Sequence, residues 1–303
     1  MIWFLRTFSK LAVLLASATL AFGFLDRQLA VADSFSHFRL HFLGLLVLVA
    51  FGLLFFRAWR WVLPVFLLAP VVWLHAVILE WPEIYTLPLG HNVRLVQFNA
   101  LFKNPKPNFS ADWILQQTPD LVTLQEVSKQ SGVIIDALKR QLPYSVLCKF
   151  ATVGGVAVVS RYPIVQSGCI EGQGLVWIQV SIEGKLLTVA SLHLHWPWPY
   201  RQWQQIERLK PALESMPKPI LLAGDFNAAP WSGAVQKIAV PTDTKVVPGH
   251  RLTLRMGPPP FGPIAFMPID HILIPEKTHV RSIKRGPAIG SDHHPVVTDI
   301  VLE

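Results

Sequence analysis

Pro219-Ile-Leu-Leu-Ala-Gly-Asp225-Phe-Asn227 is the stretch on which the reading of the fold turns. Pro219–Ala223 has the short, apolar character of a buried strand, and it opens directly into Gly224, a carboxylate, an aromatic ring and an amide. Alone, Asp225-Phe-Asn227 is also compatible with an Asx-type turn. Polar groups at the end of a buried strand are expensive unless something completes their pairing. A metal or a substrate would do so.

Working outward, the same junction recurs. Strands are expected at 93–98, 121–124, 155–160, 175–180, 186–194, 219–223, 271–274 and 296–301. The first ends in Asn99, the second runs into Gln125-Glu126, and the fifth carries His193 and His195. Met267-Pro-Ile-Asp270-His271 begins another, and Ser291-Asp292-His293-His294-Pro295 precedes the last. Helices are expected at 110–117 and 128–141, capped by Ser110 and Ser128, and at 199–214. Strands mixed with helices over residues 92–303 define one layered α/β domain. The stretch Gly257-Pro-Pro-Pro-Phe-Gly-Pro263 reads as an exposed loop.

Upstream the composition changes. Hydrophobic residues are 51% of the 303-residue chain and charged residues 15%, against about 25% charged in soluble domains. The skew is concentrated before Trp81, where only Arg6, Lys10, Arg27, Arg39, Arg57, Arg60, Asp26, Asp33 and Glu80 are charged. The remainder holds 21 basic and 16 acidic residues, a net of +5. Apolar runs at 11–25, 40–56 and 61–79 fit three membrane helices within a region 1–80, followed by a linker 81–91. The first run is short enough to be a cleaved signal instead. Arg57-Ala-Trp-Arg60 and the basic N-terminus belong in the cytoplasm by the positive-inside rule, which puts the C-terminal domain outside under either reading. Trp3, Trp59, Trp61 and Trp81 lie near the ends of these runs, as interfacial aromatics do. His75, inside the third run, reads as an interfacial residue. Cys148 and Cys169 are equally compatible with a disulfide and with two buried thiols. Their spacing to the histidines is not of zinc-site type.

Val-Arg-Leu-Val-Gln-Phe-Asn99, Pro-Asp-Leu-Val-Thr-Leu-Gln-Glu126, Ala-Ser-Leu-His193-Leu, Leu-Ala-Gly-Asp225-Phe-Asn227, Ile-Asp270-His and Gly-Ser-Asp292-His293-His-Pro follow one another in this order. The series resembles the endonuclease/exonuclease/phosphatase superfamily, whose deoxyribonucleases, abasic endonucleases and sphingomyelinases hydrolyse phosphoesters. The resemblance spans about 92–303. It implies an α/β fold in which a two-sheet β-sandwich is flanked by helices, and an enzyme dependent on Mg2+ or Mn2+. Glu126 is then the principal metal ligand, with Asn99 and Asp292 completing the shell. Asp225 would orient or deprotonate the attacking water, with Asn227 hydrogen-bonding beside it. His193 and His293 would donate to phosphate oxygens, and Asp270 would hold the His293 ring. His195 and His294 are alternatives to the two imidazoles, and His195 is also read as a substrate contact. His193 is preferred because His193-Leu-His-Trp-Pro197 is similar to a His-Leu-x-x-Pro form in membrane-linked relatives. Arg161 is either a phosphate contact or a surface arginine.

These readings describe an integral membrane protein with an extracytoplasmic phosphodiesterase domain and the bilayer as its N-terminal partner; no protein partner is implied. Nuclease activity is the first expectation, and a net charge of +5 is compatible with a polyanion. A phospholipid-headgroup phosphodiesterase or phosphatase is the second. A catalytically inactive binding module is the third.

Overall fold

The computed structural model describes residues 2–55, 58–74, 91–257 and 264–302. The linker, Trp81, His75, residues 75–79 of the third apolar run and the core of the proline-rich loop (258–263) lie outside these.

Two six-stranded mixed sheets face each other. The first has the order β13-β14-β1-β2-β4-β3, with β1 at His91–Asn99, β2 at Leu121–Val127, β3 at Tyr144–Ala151, β4 at Gly154–Ser160, β13 at His279–Arg285 and β14 at Val296–Leu302. The second has the order β5-β6-β7-β8-β12-β9, with β5 at Ile164–Ile170, β6 at Leu175–Ile182, β7 at Lys185–His193, β8 at Ile220–Asp225, β9 at Thr244–Val246 and β12 at Asp270–Pro275. A two-stranded hairpin joins β10 (Leu254–Met256) to β11 (Ile264–Met267). Helices α5 (Pro107–Gln116) and α6 (Val133–Leu138) cover the first sheet, and α7 (Gln202–Ser215) and α8 (Gly233–Thr242) the second.

The central strands are apolar on both faces because both faces are covered. In β1 and β2, Val93, Leu95 and Leu121 point between the sheets, while Val96, Phe98, Val122 and Leu124 pack outward against α5 and α6. In β8, Leu221 and Ala223 point inward, and Ile220 and Leu222 outward against α7 and α8. Side chains alternate with period two, so the inward rows continue Val93-Leu95-Gln97-Asn99, Leu187-Val189-Ser191-His193, Leu221-Ala223-Asp225 and, reversed, Ile274-Ile272-Asp270. Every row turns from apolar to polar toward the same end of the sandwich.

All eight expected strands are present, and six more (β3, β5, β9, β10, β11 and β13) were not expected. Two of the expected caps are corrected. Helix α5 begins at Pro107, whose fixed φ and missing N–H suit a first turn; Ser110 lies inside it and donates to Ile289 O. Ser128 accepts from the N–H groups of Gln130 and Ser131 in a local turn, so α6 starts only at Val133. Helix α7 begins at Gln202, after a turn in which Tyr200 N donates to Pro197 O.

Cys148 and Cys169 form a disulfide. It joins β3 to β5, edge strands of opposite sheets that share no hydrogen-bond ladder. Of the two readings left open by the sequence, the paired one is present.

Near the N-terminus, α1 (Ile2–Phe22), α3 (Arg39–Phe55) and α4 (Leu63–Trp73) pack through Val13, Leu20, Leu46, Leu53 and Val65 and turn other apolar side chains outward, Phe8, Phe51 and Phe66 among them. Helix α1 begins nine residues before the expected span and takes in Arg6 and Lys10. Among the described residues one helix, Trp3–Leu25, is long and apolar enough to cross a membrane. The pair Ala30–Ser36 and Arg39–Phe55, bent by 60°, passes the same test only when taken together. The run around α4 is shorter.

Between α1 and α3 lies an unexpected elbow built around α2 (Ala30–Ser36). The buried Asp33 carboxylate accepts from the N–H groups of Gly233 and Ala234, each at 2.9 Å, and from Trp203 Nε1 at 3.0 Å. Those two N–H groups open α8, where a helix has unpaired donors and a partial positive charge. A Cβ at Gly233 would run into the backbone carbonyl of Asp26, so glycine is required at this contact. Ser36 O accepts from Trp231 Nε1 at 2.8 Å, and Arg39 bonds Asp26 and Gly23 O, both at 2.8 Å.

Replacing both cysteines by serine should lower unfolding stability by about 3 kcal/mol, the loop-entropy scale for a bridge of this span. Denaturant melts of the purified chain, with and without the pair, measure it; equal midpoints would contradict the assignment of a stabilising bridge.

Candidate active site

The inward polar rows converge because of strand register. His193 lies beside Asp225 across the parallel pair β7/β8, and Asp225 lies beside Asp270 across the antiparallel pair β8/β12. Asn99 is level with Gln125 on the facing sheet. His293 enters from the loop before β14, where an isolated bridge to Leu254 holds its backbone.

Asp225 is at the centre, 1% exposed. Its Oδ2 accepts from Asn99 Nδ2 at 2.9 Å and is faced by His193 Nε2 at 3.5 Å and His293 Nε2 at 3.7 Å. Its Oδ1 accepts from Asn227 N at 2.9 Å. Burial pushes this carboxyl up to about 7, against the pull of the His293 charge. His293 Nδ1 contacts Asp270 Oδ2 at 2.8 Å. Burial alone would depress this imidazole, but Asp270 and then Asp225 outweigh it and raise it to about 10. In turn, burial would raise Asp270, but the His293 charge and its hydrogen bond hold it below the usual carboxylate range. His193 faces Asp225 only at 3.5 Å and has no hydrogen-bonded carboxylate on its other ring nitrogen; burial, then the nearby His293 charge, lower it to about 3 against the weaker pull of Asp270. The site therefore holds one charged and one neutral imidazole near a carboxyl that titrates near neutrality.

Glu126, next to last in β2, is in a left-handed conformation, φ 55°. Its two oxygens accept from Asn99 Nδ2 at 3.2 Å and from Phe102 N at 3.1 Å. Burial raises its pKa. Asn99 Oδ1 is already used by Leu101 N, so Asn99 turns its amide nitrogen, not its oxygen, toward both carboxylates. Asp292 is exposed, and its charge also raises Glu126. Asn227 anchors Leu194 O through Nδ2 at 2.8 Å, while its buried Oδ1 and His193 Nδ1 make no hydrogen bond among the described residues.

Glu126, a half-buried carboxylate with the charge of Asp292 near it, offers oxygen ligands of the kind that suit a hard divalent cation. Asp225, Asp270 and His293 also lie close enough together to share an ion, their ligand atoms all within 4.8 Å of one another. A metal there would bind an unprotonated imidazole nitrogen of His293.

Three candidates lie outside this centre. His294 Nδ1 turns away to Gly286 O at 2.9 Å. His195, half-buried, meets the ring of Phe150, which also meets His193. Arg161 follows the far end of β4, where it contacts Asp120 and Pro119 O. Ser160 there pairs with Leu121, at the opposite end of β2 from Glu126, so Arg161 is removed from the site and the surface reading holds.

The sequence reading missed the polar support behind the site. Gln97 Nε2 donates to Asp270 Oδ1 at 3.0 Å and to Gln125 Oε1 at 2.7 Å; Gln125 Nε2 donates to Ser191 Oγ at 3.0 Å, which donates to Leu124 O. Thr253 Oγ1 accepts from the N–H groups of Ile269 and Asp270. The signal for Gln97 was its phase: counting by two from Val93 and Leu95 puts it between the sheets.

A model of the Endonuclease/Exonuclease/phosphatase family matches residues 96–293, more than half of the chain. Together with the two-sheet fold and the site it encloses, this match shows that the chain belongs to that family. Solved structures share the fold. The human Nocturnin catalytic domain is 18% identical over 69% of this chain and 93% of its own, with a TM-score of 0.56. An endonuclease/exonuclease/phosphatase from Beutenbergia cavernae is 18% identical over 70% and 72%, with a TM-score of 0.53. Beta toxin from Staphylococcus aureus, in a structure with bound magnesium ions, is 16% identical over 70% and 100%, with a TM-score of 0.53. No curated protein sequence matches the chain.

Gln97→Leu should destabilise the domain by about 2–4 kcal/mol, because it leaves a buried carboxylate oxygen and a buried amide oxygen without donors. Chemical denaturation followed by tryptophan fluorescence reads this out. A change under about 0.5 kcal/mol would mean that the relay contributes nothing.

Proposed function

We propose that the chain is a membrane-anchored hydrolase of phosphodiesters that works with Mg2+ or Mn2+. The observation that carries this reading is Asp225, a buried carboxyl raised to about 7 that faces two imidazoles and shares the Asn99 amide with Glu126.

In this reading Glu126 holds the cation, with Asp292 beside it and Asn99 orienting the carboxylate. The cation supplies Lewis-acid stabilisation of charge on the phosphoryl oxygens. Asp225 takes the proton of the attacking water as its oxygen bonds to phosphorus, and the bond from phosphorus to the leaving oxygen breaks. A base with a pKa near the working pH is well matched to that task. Asn227 directs its free Oδ1 toward the water. His293, kept charged by Asp270, donates to a phosphoryl oxygen, and neutral His193 donates from the other side of Asp225. Fixed donors of this kind act most strongly on the charge that develops in the transition state. His195 is a contact for the substrate.

The membrane part of the proposal has three spans, α1, α3 and the helix beginning with α4. The chain would run from a cytoplasmic N-terminus to an extracytoplasmic domain of residues 92–303 behind a linker at 81–91. Two observations support this topology. The elbow at α2 docks on the domain, so both lie on one side of the bilayer, as an odd number of spans requires. A disulfide in the domain fits an oxidising compartment.

The purified full chain should hydrolyse bis(4-nitrophenyl) phosphate with added Mg2+ or Mn2+ and stop in excess chelator. Glu126→Gln, Asp225→Asn and His293→Ala should each lose about a hundredfold in turnover or more, with Arg161→Ala within about threefold of wild type. An undiminished rate in chelator, or near-normal turnover in all three site variants, would end the assignment. A reporter enzyme fused after Glu303 and active only in oxidising compartments should be active, whereas a cytoplasmic signal would overturn the topology.

A further inference from the structure

We propose that the mouth of the site opens against the bilayer surface and that its substrate is a phosphodiester resident in the membrane, a lipid whose headgroup ester lies at the level of the interface. This deepens the hydrolase reading above and rests on it.

The orientation follows from which loops the elbow touches. Ser34 Oγ donates to Trp198 O, in the loop that leaves β7 just after His193. Trp203, bonded to Asp33, opens the helix at the end of that same loop. Gly233, Ala234 and Trp231 lie in the segment that leaves β8 just after Asp225 and Asn227. Leu40, at the start of α3, packs on Ala229 and Trp231. Phe38 and His41 meet Phe266 of β11, with centroids 6.5 and 4.6 Å apart. That hairpin reaches the site directly: Leu254 of β10 bridges to His293, and Arg255 N donates to Asp292 O. These contacts fall on three connections, all at the polar end of the sandwich. None lies at the opposite end, where β8 and β12 meet Pro219 and Pro275.

Helices α1 and α3 both leave from this elbow, and their principal packing is with each other and α4 rather than along the sandwich. The end of the domain that carries the site is therefore the end that faces the bundle. If the bundle is in the bilayer, the mouth lies close above the lipid headgroups.

The rim is composed accordingly. Trp196, Trp198 and Tyr200 are all exposed on the loop after His193, and Met256 and Ile264 are exposed on the hairpin. Exposed aromatic side chains with polar edges are suited to the headgroup level of a membrane, and a cluster of apolar groups at one mouth is unusual for a surface facing only water. A long, stiff polyanion would have to fit between this rim and the bilayer. A headgroup already in the leaflet meets the site without leaving it.

The test uses the full chain in nanodiscs of phosphatidylcholine, phosphatidylethanolamine and phosphatidylglycerol with Mn2+, headgroup products being read by mass spectrometry. Bis(4-nitrophenyl) phosphate and a duplex oligonucleotide are assayed in parallel. Headgroup release should be at least tenfold faster from the disc that carries the enzyme than from enzyme-free discs mixed with it. The double variant Trp196→Asp/Trp198→Asp should lower the ratio of lipid to soluble-ester turnover at least tenfold. Cleavage of the soluble ester or oligonucleotide with no lipid turnover, or an unchanged ratio in the variant, would overturn the membrane-facing assignment alone. Failure on all three substrates would remove the hydrolase reading and this one with it.

Discussion

The structure depends on one buried contact, the pair between Asp270 and His293. Both side chains are almost entirely removed from water. An unpaired charge in either place would cost several kcal/mol. Asp270 is satisfied by His293 on one oxygen and Gln97 on the other, and a fully bonded buried group of this kind has only one low-energy arrangement. The contact also joins parts of the chain that no ladder connects. Asp270 belongs to the second sheet, Gln97 to the first, and His293 to the loop entering β14. Two sheets held only by apolar packing can slide; a polar relay from Ser191 through Gln125 and Gln97 to Asp270 fixes their register at the end where chemistry requires it.

The same pair sets the protonation of its surroundings. Burial already disfavours a charge on His193, and with Asp270 holding His293 charged, a second charged imidazole next to it is less favourable still, so His193 is pushed to the neutral form. Asp225, which faces both, is raised well above the ordinary carboxylate range by its burial. Three titratable groups within a few ångströms thus take three different states because of where the strands put them, and not because of their residue types.

Much of this could be read in the sequence, for a physical reason. Strands such as Leu121–Leu124 and Ile220–Ala223 are covered on both faces, so they are continuous apolar runs, and a carboxylate at the end of such a run is conspicuous. The edge strands were missed for the complementary reason. β5, Ile164–Ile170, is open on one side and reads Ile-Val-Gln-Ser-Gly-Cys-Ile, with no unbroken apolar signal. Gln97 and Thr253 were passed over because a neutral polar residue within a strand is unremarkable until its inward phase is counted. Neither the disulfide nor the elbow could be read locally: Cys148 and Cys169 meet only when two sheets stack, and Asp33 finds its partners 200 residues away.

Asp33 has a consequence for how the two parts of the chain behave. A charged or hydrogen-bonded cap at a helix N-terminus contributes about 0.5–2 kcal/mol, and here the cap is supplied by a segment outside the domain it stabilises. Trp231 and Trp203 add two indole hydrogen bonds to the same elbow. The apolar bundle is therefore not a tether on which the domain swings freely. Three loops that shape the site are held by residues 33–41, so a displacement of α1 against α3 would be felt first at the connections carrying His193, Asn227 and Asp270. In this chain the apolar bundle is part of the scaffold of the site, because the contacts that dock it are made on the loops that carry the site.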